Sequence, residues 1–565
     1  MAEREPQLRQ VLFSWQIFMI SVSSVIGVTI FYGDGEALEV AGPSGALLAF
    51  AIVGIVAICV MEGISEMIQM FPTPNALMEF VRAFVDEDLA WVVGIAYWYT
   101  YSSIFATLII TAAGFTDFWG LAQVYQTVIF YVLVPVTILF INFAGVFYFG
   151  WIETIGGILK TCMVVGGAIF IAVTDCRAEH YGSENINDGF RNNNSFAQNP
   201  RQAGCYVVPL IAYGFIGVEM ISIAAFEARD LRSLRMPSQT IAYFVVAIYF
   251  LLAIGEFLNV KWVGTPLPEI YGINGTSVGT SRSNAVFVLA AAAAGYKRMP
   301  GLMNGFMIFS ALSASNSALY VASRALYGMT RTITPWGWLS FLKELGSVWH
   351  KTGVPMWALF VSFLAFLWLP FLQLKRGYAI ADLREIMSTS ASVSCLLVWA
   401  SQCLAFIRYH AWLRKHSDSI AQVYPEHNRW RSTSQASTIL GGLQPVIAWL
   451  GMIGCLVIVF VFTTATWWST PVDFSKVAIA YGAPIILTGF FLVLKLITRR
   501  RPVHLDNDFA VLVATLEHLK FLKPERQRGS QADGCDVAYT ELEDAQFAHR
   551  ATERPADSTD RDRRR

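Results

Sequence analysis

VIGVTIFYGDGEALEVAGPSGALL, residues 25–48, begins as the end of a membrane-spanning helix and then stops behaving like one. Gly27, Gly33 and Gly35 interrupt the apolar run, Asp34 and Glu36 add charge, and Gly42-Pro43 closes it. A glycine inside a helix costs about 1 kcal/mol relative to alanine. In lipid the freed backbone groups cost more, because no water is there to satisfy them. Such an interruption persists where it lines a cavity or a site.

The surrounding sequence reads as membrane protein. Of 565 residues, 55% are hydrophobic and only 15% charged, against about 25% charged in an ordinary soluble chain. Forty-one basic residues balance forty-one acidic ones, and no basic patch alternates with aromatics, so nothing suggests a nucleic-acid partner. The eight cysteines form no C-x-x-C pair, which argues against zinc and thioredoxin-like chemistry. No metal or cofactor is expected. The first apolar run outlasts a signal peptide's core and no small-residue cleavage site follows it.

A membrane helix needs about 20 mostly apolar residues. Twelve candidates centre on 14–40, 44–68, 90–115, 122–146, 152–174, 203–226, 238–260, 300–328, 354–374, 384–409, 445–468 and 476–498. A shorter apolar piece, Val286 to Ala294, reads as a re-entrant or surface helix. This divides the chain into a cytosolic N-terminus (1–13), a twelve-helix transporter domain (14–498) and a cytosolic C-terminal tail (499–565). Within the tail, Phe509 to Leu522 is amphipathic, and disorder is expected past Pro524.

Loop charge sets the orientation. With the N-terminus inside, the cytosolic loops carry Arg229, Arg232 and Arg235, then Arg331, Lys343 and Lys351, then Arg414, Lys415, Arg429 and Arg431. The outer loops after the first and third spans have no Lys or Arg. Two glycosylation sequons, at Asn193 and Asn274, fall in loops this topology places outside. Cys176 and Cys205 flank the first of those loops. They are read either as a disulfide or as two separate thiols.

The break itself suggests a ligand. Where a helix stops inside a membrane, its end is electronegative and the start of the next half is electropositive. An amino acid carries one charge for each. A transporter of this kind repeats the device in its second half. Five spans on, Ala212-Tyr213-Gly214-Phe215-Ile216-Gly217-Val218-Glu219 places two glycines and an acid in an apolar run. The competing explanation for one such glycine pair is close helix packing; two pairs at matched positions favour a site.

These residues resemble the fungal amino acid permeases of the amino acid–polyamine–organocation superfamily, over residues 14–500. The resemblance rests on Ile26-Gly27 with Gly33-Asp34-Gly35 and Ala41-Gly42-Pro43, and on Ser65-Glu66-Met67 with Phe71-Pro72. It rests further on Tyr97-Trp98, on Glu153 with Lys160, and on Gly217-Val218-Glu219 with Ala225-Phe226-Glu227-Ala228. Residues 313–324, SASNSALYVASR, are its strongest part, and Trp399 and Arg408 fit the tenth span. It implies an all-α membrane protein of twelve transmembrane helices, a LeuT-like 5+5 inverted repeat with helices 1 and 6 broken, plus two additional helices. It also implies proton-driven amino acid uptake across the plasma membrane.

Three departures bear on substrate. The family's first-span Gly-Thr-Gly reads Gly27-Val28-Thr29 here. The acid usual in the third span is missing, with no Asp or Glu from Leu89 to Phe115. The sixth span exits through Arg229-Asp230-Leu231-Arg232 rather than Asn-Pro-Arg-Lys. Losing a pocket carboxylate argues against a cationic side chain and for neutral or aromatic ones.

The expected roles follow. Ile26, Gly27, Val28 and Thr29 offer backbone donors to the substrate carboxylate. Tyr213, Gly214, Phe215 and Ile216 offer carbonyls to the ammonium, with Phe215 either a gate or ordinary packing and Tyr101 adding to the pocket. A lysine within a span is costly and normally functional. The resemblance places Lys160 among the first, fifth and eighth spans, where related transporters hold sodium, and so makes it the proton-coupling candidate; a structural tether is the alternative. Glu219 is a second candidate, as a proton relay or as the partner of a hydroxyl. Asn316, Ser313 and Ser317 either tie the eighth span to the first or hold helices together generally. Glu66, Arg235 and Arg324 form an inner gate or lie solvated at loop ends. The expected partners are an amino acid, a proton and the bilayer. Rival readings are a choline, polyamine or 4-aminobutyrate permease, and a sensor that binds without transporting. No nucleophile elbow, P-loop or metal-spaced cluster points to an enzyme.

Overall fold

The structure is a computed structural model. It describes residues 8–27, 29–175, 199–229, 234–259, 270–271, 277–278, 286, 288, 291, 298–331, 341–372, 383–423, 438–463, 474–499, 502–503 and 509–522. Asn193, Asn274, Cys176 and most of 286–294 lie outside the described residues, as does the tail past Pro524; Cys205 carries a free thiol.

The first span is built in two halves. Ser14–Val25 is one helix, and the chain becomes helical again at Thr29. At 1.5 Å per residue, twelve residues reach about 18 Å, too short for a hydrocarbon core of about 30 Å. The second half, 29–41, supplies the remainder. Gly42 then adopts φ 72° and ψ 175°, followed by Pro43. That left-handed backbone and the missing proline N–H separate the first span from the second, 43–70.

The other spans are Glu87–Gly114, 123–143, Val146–Asp175, 200–227, Arg235–Asn259, Met299–Thr330, 356–372, Leu383–Lys415, Val446–Phe460 and Phe474–Thr498. Asp86 caps the third span by accepting from the amides of Asp88 (2.9 Å) and Leu89 (3.0 Å). Asn199 caps the sixth, accepting from Gln202 N–H at 2.9 Å. A short antiparallel pair, Ile270–Tyr271 with Ser277–Val278, decorates a loop.

Burial sorts the spans into centre and rim. The apolar windows of the third, sixth and tenth spans are 83%, 89% and 83% buried, whereas those of the fourth and twelfth are 22% and 11% buried. Rim helices expose Phe140, Ile155, Ile485 and Leu496, side chains suited to lipid. The interior therefore gathers around the two interrupted spans. Beyond the bundle, helix Phe509–Phe521 turns Leu512, Leu516 and Leu519 inward, fully buried, and packs against helix Ala76–Phe84. Val503 anchors its approach: its N–H donates to Val85 O at 3.0 Å, and its carbonyl accepts from Arg408.

Candidate functional site

The two interruptions face one another. The sixth-span helix Pro200–Phe215 ends in an extended Ile216 (φ −63°, ψ 129°) and a Gly217 at φ 117°. A short turn, Val218–Met220, restarts the helix. Gly217 is required twice over. Its φ disfavours any Cβ, and a Cβ there would lie 3.0 Å from Val25 Cγ2 and 3.2 Å from Ser24 Oγ, in the last turn before the first-span break.

Tyr249 of the seventh span closes this junction. Its hydroxyl lies 2.8 Å from both Val25 O and Gly214 O, the carbonyls at the ends of the two half-helices. One hydrogen serves two acceptors, so the hydroxyl holds both breaks at once. Its ring stands 5.0 Å from Phe215 and 6.3 Å from Phe50.

Of the expected substrate contacts, several are engaged within the protein. Ile26 N–H bonds Val22 O (2.9 Å) and Gly27 N–H bonds Val25 O (2.6 Å). Ile26 O accepts from Ser310 Oγ at 2.8 Å. Val28 lies outside the described residues, as does the side chain of Thr29. Tyr213 O takes Ile216 N–H at 3.3 Å. Phe215 is fully buried against Phe50 and Tyr249, the surroundings of a packed ring. Two residues expected separately meet: Tyr101 Oη donates to Glu219 Oε1 at 2.6 Å, while Gly217 N–H reaches Oε2 at 3.2 Å. Tyr97 stacks edge-on against Tyr101 at 4.9 Å.

Lys160 lies between the first and fifth spans. Its ammonium is buried and donates to Ser23 O, 2.5 Å away, near the end of the first half-helix. Ile26, Met163, Met303, Met307 and Ser310 line a small, partly open pocket beside it, with room for about one water molecule. One turn-pair earlier on the fifth span, Glu153 gathers three helices. Its Oε2 accepts from Ser23 Oγ (2.6 Å) and Ser313 Oγ (2.9 Å), and its Oε1 from Asn316 Nδ2 (2.6 Å). Asn142 of the fourth span donates in turn to Asn316 Oδ1 at 2.8 Å. Ser313 thus does reach the first span, 2.8 Å from Ser23 Oγ. Asn316 links the eighth to the fourth and fifth, and Ser317 Oγ is buried with no hydrogen-bond partner.

Of the three residues grouped as an inner gate, Arg324 faces Glu227; it is buried and pairs with that carboxylate at 3.2 Å, its guanidinium 4.2 Å over the Tyr320 ring. Tyr320 Oη donates to the other oxygen of Glu227 at 2.5 Å. Glu66 is buried, while Arg235 is exposed. The N-terminal segment seals this end: Val11 and Leu12 amides donate to Glu227 O, both at 3.1 Å, and Arg229 N–H returns to Leu12 O at 2.8 Å. Sequence reading passed over Tyr249, Ser23, Asn142 and Glu227 as site residues. Glu153 was visible only as a motif partner of Lys160.

A bundle with its first and sixth helices broken face to face at mid-depth is the architecture of a secondary transporter. The manganese transporter of Eremococcus coleocola has this fold: 12% of residues are identical, 92% of this chain and 99% of that one are covered, and the TM-score is 0.52. The amino acid permease family model matches residues 16–507, and the chain belongs to that family. A tryptophan permease of Saccharomyces cerevisiae is 26% identical, over 86% of this chain and 77% of its own. A cationic amino acid transporter of Schizosaccharomyces pombe is 24% identical, over 74% of this chain and 68% of its own. The protein is a multi-pass membrane protein with the LeuT-like arrangement of two five-helix repeats and two further helices.

Proposed function

We propose that this permease takes up amino acids with neutral or aromatic side chains, driven by protons, by alternating access at the plasma membrane with both termini cytosolic. The observation that carries it is the pairing of the two breaks around Tyr249, which brings the carbonyl ends of both first half-helices to one place, with the amide ends of the restarting halves at Thr29 and Val218 only a few residues on. A zwitterion matches that pairing, and rearrangement of the short bonds now made by Ile26, Gly27 and Gly214 would free groups to hold it.

The side-chain preference rests on carboxylates. No acid lies between Leu89 and Phe115. Glu219 is bonded to Tyr101 and Gly217, leaving it engaged rather than waiting for a cationic side chain. The relatives include both a tryptophan permease and a cationic transporter, so their names do not choose between the classes.

Lys160 is proposed as a coupling group. Held against Ser23 O, its ammonium fills the place of a bound cation; a neutral amine would hold that carbonyl less strongly. Purified protein in proteoliposomes preloaded with unlabelled amino acid tests the reading by counterflow of labelled tryptophan, phenylalanine, leucine and lysine. Exchange of the first three and not lysine is expected. Exchange confined to lysine, choline, polyamines or 4-aminobutyrate would overturn it.

A further inference from the structure

Asp34 and Glu256 lie on the other side of the junction from the chain's N-terminus. Asp34 belongs to the second half of the first span and Glu256 to the far end of the seventh. Both are fully buried, their carboxyl oxygens take no hydrogen bond from any other described group, and the two side chains lie within hydrogen-bonding reach of each other. The two groups act on each other. Tyr249, two helical turns below Glu256 on the same face, is close enough to feel the charge of Asp34. The helices packed around them carry Tyr206, Tyr213, Cys205 and Lys160, and Glu36 and Glu39 flank Asp34 in sequence. Among the described residues, Glu256 is the group whose charge acts on Asp34.

Two unpaired negative charges cannot persist side by side in this setting. Burying a carboxylate costs several kcal/mol even after relaxation, and a second like charge adds repulsion. Something positive has to join them. A hard metal cation asks for about six oxygens or more, and the two carboxyls supply four. A proton needs only two oxygens.

We propose that Asp34 and Glu256 form a proton-binding site that couples proton entry to closure of the first span's second half onto the seventh span. A hydronium transfers its proton to one carboxylate oxygen, leaving water; the new O–H donates to the other carboxylate. The shared proton draws the two helices together. Because Tyr249 sits on the same helix face and touches both breaks, that movement reaches the substrate junction directly. The coupling half of this inference rests on the proposed uptake function; proton binding does not.

The test therefore has two readouts on the full chain. Infrared difference spectra between acidic and alkaline buffer detect the C=O stretch of a protonated carboxyl without any substrate. Asp34→Asn and Glu256→Gln should each remove a band present in the parent protein, and exchanging sodium for N-methylglucamine should leave that band unchanged. In proteoliposomes, each variant should lose at least tenfold of the stimulation that an inward proton gradient gives to labelled tryptophan uptake, measured relative to its own counterflow. A parent spectrum with no such band overturns the proposal without any variant. So does a band that survives both substitutions, or one that sodium abolishes. Absence of counterflow in the parent defeats the permease reading alone, while intact proton stimulation in both variants defeats the coupling.

Discussion

Replacing Glu153 by alanine should destabilise the bundle more than any other single change near the junction. Its carboxylate accepts from Ser23, Ser313 and Asn316, and it is the carboxylate whose charge acts on Lys160. Hydrogen bonds between membrane helices are worth about 0.6 kcal/mol on average and up to roughly 1.7, so three of them put the loss at about 2–5 kcal/mol. The figure leans to the upper end, since all three donors would be left buried and the ammonium would lose its nearby counter-charge. Glu153→Gln keeps the shape. Its Oε1 can still accept from Asn316, and the two serine hydroxyls can turn to accept from the new amide, so the lost counter-charge beside Lys160 remains the main cost and the total stays below that of alanine. Heating detergent-solubilised protein and measuring the monodisperse fraction reads both. The alanine variant should melt several degrees below the parent and the glutamine variant between them. An alanine variant that melts with the parent would refute the view of Glu153 as the knot joining the first, fifth and eighth spans.

Three further outcomes are expected. Tyr249→Phe removes the hydrogen that two carbonyls share, a change of about 1 kcal/mol or roughly fivefold in substrate affinity; binding measured by scintillation proximity would show it, and an unaltered affinity would detach Tyr249 from the junction. Lys160→Ala should abolish proton-coupled uptake in vesicles, and uptake that stays pH-dependent rejects its role. Burial, with the Arg82 charge nearby, holds His518 below the ordinary histidine value. Released tail therefore binds more protons than docked tail, and helix Phe509–Phe521 should loosen from helix Ala76–Phe84 as pH falls below about 6.5. Protection of that helix against hydrogen exchange, corrected for the intrinsic rate at each pH, should fall as pH drops below about 6.5, whereas unchanged protection would show that His518 does not govern docking.

The backbone of this fold was legible because glycine and proline act locally. Gly27 and Gly217 marked the breaks to within a residue or two, and Gly42-Pro43 marked the end of the first span. Apolar composition found the crossings, including Met356–Leu372 and Val446–Phe460, which are apolar but shorter than a full span. The polar wiring was less legible, because it depends on which helix faces which. Tyr249 sits in a run of apolar residues, where an aromatic reads as packing. Asp34 stood out as a charge inside a span, but nothing in its neighbourhood named Glu256, which reaches it only once the first and seventh spans are folded together. Glu227 and Arg324 looked like members of separate motifs, and only the structure joins them across Tyr320. Lys160 was found because a charge in a membrane helix needs a reason wherever it lies.

The account stands on a pair of helix breaks that grip an amino acid, so the decisive measurement is the counterflow panel on purified protein. Labelled neutral or aromatic amino acids should accumulate transiently in liposomes preloaded with the same compound, and Gly217→Val should abolish that accumulation by crowding Ser24 and Val25. Failure of every amino acid to exchange, or full exchange by the valine variant, would contradict it.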